Sequence, residues 1–308
     1  MVDIKEVGEN IYLIDDLLYS IPEWGSVYLL NEEKKAIVDT GPTTSAWAVL
    51  EGIEKLGVGA DEIDYLIVTH IHLDHAGGAG RLLRDMPRAT VVVHHRAVRH
   101  LVTPDRLVRS VAEAQGEAMM ARMGEVVPVD RQRVVPVAEN DEIKLSAGQV
   151  LRFLETPGHA PHELCIRESR NNGLFSGDAI GVSVAENSVL LPVTPPPGFD
   201  LSLYLASLER LARLDSSRIY YSHFGATDRV GEDLRRAADL LQAWEILVSR
   251  AVNGDVFDNA AEKLRQDMCA ELEPVRRMDL LHQYLTEELV PMNVAGYMKY
   301  FQDKRSTG

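Results

Sequence analysis

Two apolar runs restrict what this chain can fold into more than any other feature: IDYLIVTH, residues 63–70, and ATVVVHH, residues 89–95. Neither alternates apolar with polar residues, so each reads as a strand covered on both faces. Helical periodicity precedes them. In TTSAWAVLEGIEKLG, residues Ala46, Val49, Leu50, Ile53 and Leu56 fall on one face. Strands that need cover on both faces, interleaved with one-sided helices, predict a layered α/β fold.

The rest of the chain extends this pattern. NIYLIDD, SVYLLNE and KAIVDTG predict a meander near the start. A helix is expected over 104–124, carrying Met119, Met120 and Met123, and strands return between Val134 and Asp178. LPVTPPPGFD reads as a proline-rich loop, LSLYLASLERLARL as a helix and RIYYSHFG as a last strand. From Glu232 onward only helix is predicted, with Leu234, Ala237, Leu241, Trp244 and Val248 forming a stripe that must be buried somewhere. The expected division is therefore residues 1–230 for the layered body and 231–308 for a helical extension. That extension could pack on its own body or support a homodimer.

Composition excludes several function classes. A formal charge of −15 argues against a nucleic-acid partner, which needs clustered Lys and Arg. Cys165 and Cys269 stand far apart, so neither a disulfide framework nor a CxxC metal site is expected. No apolar run reaches the length of a membrane helix, and the first residues carry no basic segment followed by an apolar one. A cytoplasmic protein acting on a small molecule is the expectation.

The chemistry lies where the apolar strands end. His70, His72, Asp74 and His75 stand within six residues of one another; TPGH ends in His159, SGD in Asp178, and YSHFG contains His223. Loops at strand ends carry function because a rigid scaffold places them. Five imidazoles and two carboxylates are donors enough for two divalent cations, zinc first, with iron or manganese as alternatives.

On these residues the chain resembles the metallo-β-lactamase superfamily. His70-Ile71-His72-Leu73-Asp74-His75 matches its H-x-H-x-D-H signature, and IVDTG, TPGH, FSGDA and SHFG stand in the family's order across about residues 7–228. The resemblance implies a four-layer αββα sandwich with the site at its edge. It implies that His70, His72 and His159 hold one metal, that Asp74, His75 and His223 hold a second, and that Asp178 bridges them. The activity implied is hydrolysis of an ester, thioester or lactone by a hydroxide shared between the ions, with Asp74 orienting it. Asp39 and Thr40 would support the ligand loops. The chain looks closer to the glyoxalase II and lactonase-like branch, although Ile180 to Ser183 hold no tyrosine after GDA, where lactonases place one. Iron-dependent oxidoreduction, phosphodiester hydrolysis and a non-catalytic metal-binding sensor are the alternatives on the same fold.

Substrate contacts are expected from LLYSIPEWGSV, through Tyr19, Ile21 and Trp24, and from His162 beside the ligand loop. The methionines of the 104–124 helix read as core or as one wall of the pocket, and the proline-rich loop as a rim. His94 and His95 read as structural, His100 as surface, and His282 as unrelated to the chemistry.

Overall fold

The computed structural model describes residues 2–184, 189–252 and 257–307. The first sheet contains β1 (Ile4–Gly8), β2 (Ile11–Asp15), β3 (Ser26–Leu30), β4 (Lys35–Val38), β5 (Ile63–Ile67), β6 (Thr90–His94) and β7 (Val134–Val137), in sequence order. β1 to β4 pair antiparallel, and β4 to β7 run parallel. The meander thus has one strand more than the sequence pattern indicated. IKEVG is a half-exposed edge strand, and so lacks the apolar signal that marks its neighbours.

The second sheet contains β8 (Glu142–Ser146), β9 (Gln149–Glu155), β10 (Leu164–Glu168), β11 (Gly173–Phe175), β14 (Arg218–Tyr220) and β15 (Ala226–Thr227), in the order β15-β14-β11-β10-β9-β8. Between β11 and β14 a separate hairpin of β12 (Val182–Val184) and β13 (Val189–Leu191) leads into the proline-rich loop.

Period-two alternation sorts these strands into layers. Tyr28, Leu30, Val38, Ile67 and Val92 of the first sheet meet Leu151, Phe153, Leu164, Ile166 and Phe175 of the second in one apolar layer. Their neighbours Val27, Leu29, Ile37, Leu66, Val91 and Val93 face the other way. There they pack with α1 (Ala46–Lys55), α3 (Ala79–Leu82) and α4 (Val98–Val102). Between these helices in sequence, α2 (Leu73–Ala76) carries part of the histidine motif. α5 (Asp105–Met123) stands apart, its Met119 and Met123 forming a small cluster with Leu73.

The outer face of the second sheet is covered by α6 (Leu201–Ala212), α7 (Val230–Val252) and α8 (Phe257–Glu271). α9 (Asp279–Tyr284) continues through a π-type turn, Leu285–Leu289, into α10 (Val290–Thr307). The stripe predicted on the extension is buried against this same chain. Leu234, Leu241, Trp244 and Val248 share one cluster with Leu208, Leu211 and Tyr221 of the body. Helix, sheet, sheet, helix is a four-layer αββα sandwich with a C-terminal helical extension.

Candidate metal centre

Strand direction gathers the site. β4 and β5 are parallel, so Asp39 and His70 emerge at the same edge of the first sheet. In the second sheet β9, β11 and β14 share one direction, because β10 is antiparallel to both β9 and β11 while β11 is parallel to β14. His159, Asp178 and His223 follow these strands. Gly158 lets the His159 loop lie against α6: its φ is +150°, and a Cβ there would overlap the Tyr204 Cα.

All seven predicted donors converge. His70, His72 and His159 form one group, His70, His75 and Asp178 another, and Asp74, His75 and His223 a third, each with ligand atoms within 4.8 Å of one another. His72 Nδ1 lies 2.9 Å from both His70 Nε2 and His159 Nε2. On the other side His75 Nε2 faces His223 Nε2 at 3.2 Å. Asp178 stands between: its Oδ2 is 3.5 Å from His159 Nε2, and its Oδ1 is 3.6 Å from His75 Nε2 and 3.8 Å from His223 Nε2. Asp74 Oδ2 is 3.7 Å from His223 Nε2 and 3.9 Å from His75 Nε2.

The outward nitrogens of four imidazoles meet acceptors. His75 Nδ1 lies 3.0 Å from Asp39 Oδ2, His159 Nδ1 3.0 Å from the Val193 carbonyl, and His223 Nδ1 3.3 Å from the Trp24 carbonyl. His70 Nδ1 is 3.1 Å from Thr69 Oγ1, which itself hydrogen-bonds Asp39. On a neutral ring an acceptor at one nitrogen fixes the tautomer, so the other presents its lone pair inward.

Asp39 is the most connected of these supports. Its Oδ1 accepts from the Thr69 amide at 2.9 Å, and its Oδ2 accepts from Ser222 Oγ at 2.7 Å. The backbone of Asp39 is left-handed at φ 59°, a conformation that aspartate tolerates better than most residues. Thr40 donates its amide and its hydroxyl to the His75 carbonyl, each at 2.8 Å.

Electrostatics agree with a cation-binding set. Burial pushes His70, His72, His159 and His223 below their ordinary value, so these imidazoles are neutral donors. Burial also acts downward on His75, but Asp178, Asp74 and Asp39 outweigh it and hold the ring well above 6.5. Burial would raise Asp178, yet the charge on neighbouring His75 outweighs it and holds the carboxyl below its ordinary value. Buried Asp178 Oδ1 has no hydrogen-bond donor. Inward lone pairs, an ionised carboxylate without a donor and surrounding negative charge fit divalent cations.

Glu163 was not foreseen from the sequence. It accepts from the Asp178 amide at 3.1 Å as well as facing His70. It precedes β10, which runs opposite to β9 and β11, so the beginning of β10 lies at the same edge as their ends. The available signal was an acid placed directly before the apolar run LCI.

A cavity of about 180 Å³ opens onto His72, Asp74, His159, Asp178 and His223. Tyr19 and Trp24 line it as expected, and the Trp24 ring packs 4.4 Å from that of His223. Of the three methionines in α5 only Met123 reaches it, while Met119 is packed in the cluster on Leu73. The other two expected contacts lie elsewhere. Ile21 follows two left-handed residues, Tyr19 and Ser20, that turn the chain toward an outer pocket containing Arg122. His162 stacks 6.4 Å from His70 outside the cavity lining. The extension supplies Tyr284, Leu289 and Met292 to the lining. His94 and His95 gather near Glu155, whose carboxylate lies 3.2 Å from His94 Nε2.

The comparisons agree with this geometry. The sequence matches the family described as the Metallo-beta-lactamase superfamily over residues 23–223. It is 28% identical over 259 residues to the metallo-beta-lactamase fold-containing protein ST1585 of Sulfurisphaera tokodaii, covering 83% of this chain and 92% of that one. The solved structure of ST1585 superposes with a TM-score of 0.64 over 75% of this chain and 85% of its own. Metallo-beta-lactamase family protein TTHA1429 from Thermus thermophilus, 20% identical, shares the fold over 97% of this chain and 95% of its own, with a TM-score of 0.65. Thioesterase pkgB of Emericella nidulans is 27% identical over 206 residues, 66% of this chain and 46% of that protein. Human acyl-coenzyme A thioesterase MBLAC2 is 25% identical over 191 residues, 57% of this chain and 65% of its own. With the family match spanning most of the sandwich and the histidine signature converging at its edge, the chain belongs to the metallo-beta-lactamase superfamily.

Proposed function

We propose that this protein is a dinuclear metal-dependent hydrolase acting on an ester or thioester of a small molecule. The observation that carries the reading is the meeting of two donor sets at Asp178, on the wall of an apolar cavity that a small molecule can enter. Two divalent ions held there would supply a hydroxide nucleophilic at neutral pH and Lewis acidity toward a carbonyl oxygen.

The chain's own residues do the rest. His70, His72 and His159 would hold one ion, Asp74, His75 and His223 the other, and Asp178 has one oxygen toward each set. Asp39 and Thr69 orient the His75 and His70 rings through their outward nitrogens. The Asp74 side chain is 21% exposed, against 5% for Asp178, so it is the carboxylate open to a leaving group that needs a proton. Trp24, Val182, Val193 and Leu289 exclude bulk water from the same space. The thioesterase names of pkgB and MBLAC2 favour a thioester within the ester class.

The test is turnover of p-nitrophenyl acetate, a lactone, an acyl thioester and bis-p-nitrophenyl phosphate, with metal content measured in the same preparation. Ester or thioester cleavage that a chelator abolishes and zinc restores is expected. Stoichiometric iron with a redox-active spectrum and no cleavage would replace this reading with oxidoreduction. Turnover of the phosphodiester alone would make the protein a phosphodiesterase.

A further inference from the structure

Part of the cavity wall is built by two segments outside the ligand motifs. α5 contributes Leu107, Val111 and Met123, and the last helix with the turn before it contributes Leu289 and Met292. The π-type turn Leu285–Leu289 sits where this wall forms. Tyr284 precedes it, Leu289 closes it, and all three of Tyr284, Leu289 and Met292 reach the cavity. One-turn π-type insertions of this kind recur at functional sites.

Three properties of the space restrict its occupant. Leu107, Val111, Ala114, Met123, Leu289 and Met292 make its wall mainly apolar, with Ser110 and Gln115 as neutral polar groups, so it takes an uncharged, mainly apolar group. Among the described lining residues the only charged side chains are the donors Asp74 and Asp178, and there is no lysine or arginine, so an acyl group bearing its own carboxylate has no partner there. Its whole volume, about 180 Å³, includes the space beside the donor residues, so what remains holds at most a guest of the benzene class that an apolar cavity of roughly 150 Å³ accommodates. Tyr19 and Tyr284, ring centroids 5.4 Å apart, stand between this space and the outer pocket of Ile21 and Arg122.

We propose that this wall is the acyl subsite of the enzyme, and that it selects a neutral, compact apolar acyl group of at most about six carbons. The proposal rests on the hydrolase reading above, with the carbonyl at the donor residues and the acyl chain against α5 and the last helix. Met292 is the specificity-determining residue on the extension side.

Two measurements test it. In the metal-loaded protein, calorimetric binding of acetate, hexanoate, benzoate, decanoate and succinate reads the subsite without any turnover. Hexanoate and benzoate should bind tightest, with decanoate and succinate at least tenfold weaker. In turnover, kcat/KM over acetyl, butyryl, hexanoyl, octanoyl and dodecanoyl thioesters should peak at butyryl to hexanoyl. Met292→Ala should move the peak toward octanoyl, and Met292→Trp toward acetyl, with changes of about tenfold per methylene at the limit. A flat binding series, or succinate binding as well as hexanoate, would overturn the subsite. Selective binding of hexanoate with no hydrolysis of any ester would retain the subsite and overturn the hydrolase reading.

Discussion

Asp39 shows how much of the site depends on a side chain outside the donor set. It joins β4 to Thr69, to His75 and to Ser222, which lie on three separate stretches of chain. Asp39→Asn preserves volume and tolerance of the left-handed backbone, but replaces one acceptor oxygen with a donor that faces His75 or Ser222. Metal affinity measured by chelator competition should fall about 10–100-fold while the fold persists. Unchanged affinity would mean that His75 is held by packing alone. At this scale the motif residues could be recognised in the sequence, since each follows a run that only a buried strand explains. For Glu163 the acid before LCI was a signal, but its place at the site depends on the direction of β10, which is not written in composition.

Besides lining the cavity, the extension helices brace the site through one loop. Asn293, fully buried in α10, donates from Nδ2 to the Pro192 carbonyl at 3.0 Å and accepts from the Thr194 amide at 2.8 Å. Between those two residues the Val193 carbonyl accepts from His159 Nδ1. One turn along the helix, a Cβ on Gly296 would collide with the Thr194 carbonyl oxygen, so the helix backbone rests directly on this loop. Asn293→Ala leaves buried polar groups unpaired and should cost about 1–3 kcal/mol in thermal or denaturant unfolding. Gly296→Ala should displace the helix and weaken metal retention as well. If both variants keep wild-type metal affinity, the His159 loop is held without the extension.

Across the whole molecule, ionisable groups give a pH dependence of definite sign. Burial lowers seven imidazoles in the metal-free protein: His70, His72, His94, His100, His159, His162 (to about 2) and His223. Their unfolded value near 6.5 lies above the folded one, so on acidification the unfolded chain takes up protons first. The stability they contribute is present above about pH 6.5 and is lost as pH falls below it. Burial raises Asp15, Asp16, Glu163 and Asp233, which act with the opposite sign above the ordinary carboxyl range. His75, raised by its carboxylates, contributes stability that is full below 6.5 and is lost as pH rises through its folded value. The larger group should prevail: the thermal midpoint of metal-free protein should be lower at about pH 5.5 than at about pH 7. An equal or higher midpoint at the acid end would show that the raised carboxyls dominate.

Local periodicity and the residues at strand ends carried the layered α/β body, the helical extension and the seven donors, because alternation, apolar runs and turn chemistry are properties of neighbours in sequence. Folding alone brought His159 within 2.9 Å of His72, set the beginning of β10 beside the end of β5, and laid Leu289 and Met292 across the cavity. These contacts join residues far apart along the chain. Which faces meet is decided by the packing of two sheets and a capping helix layer, a global minimisation of exposed apolar surface that no short stretch of sequence records.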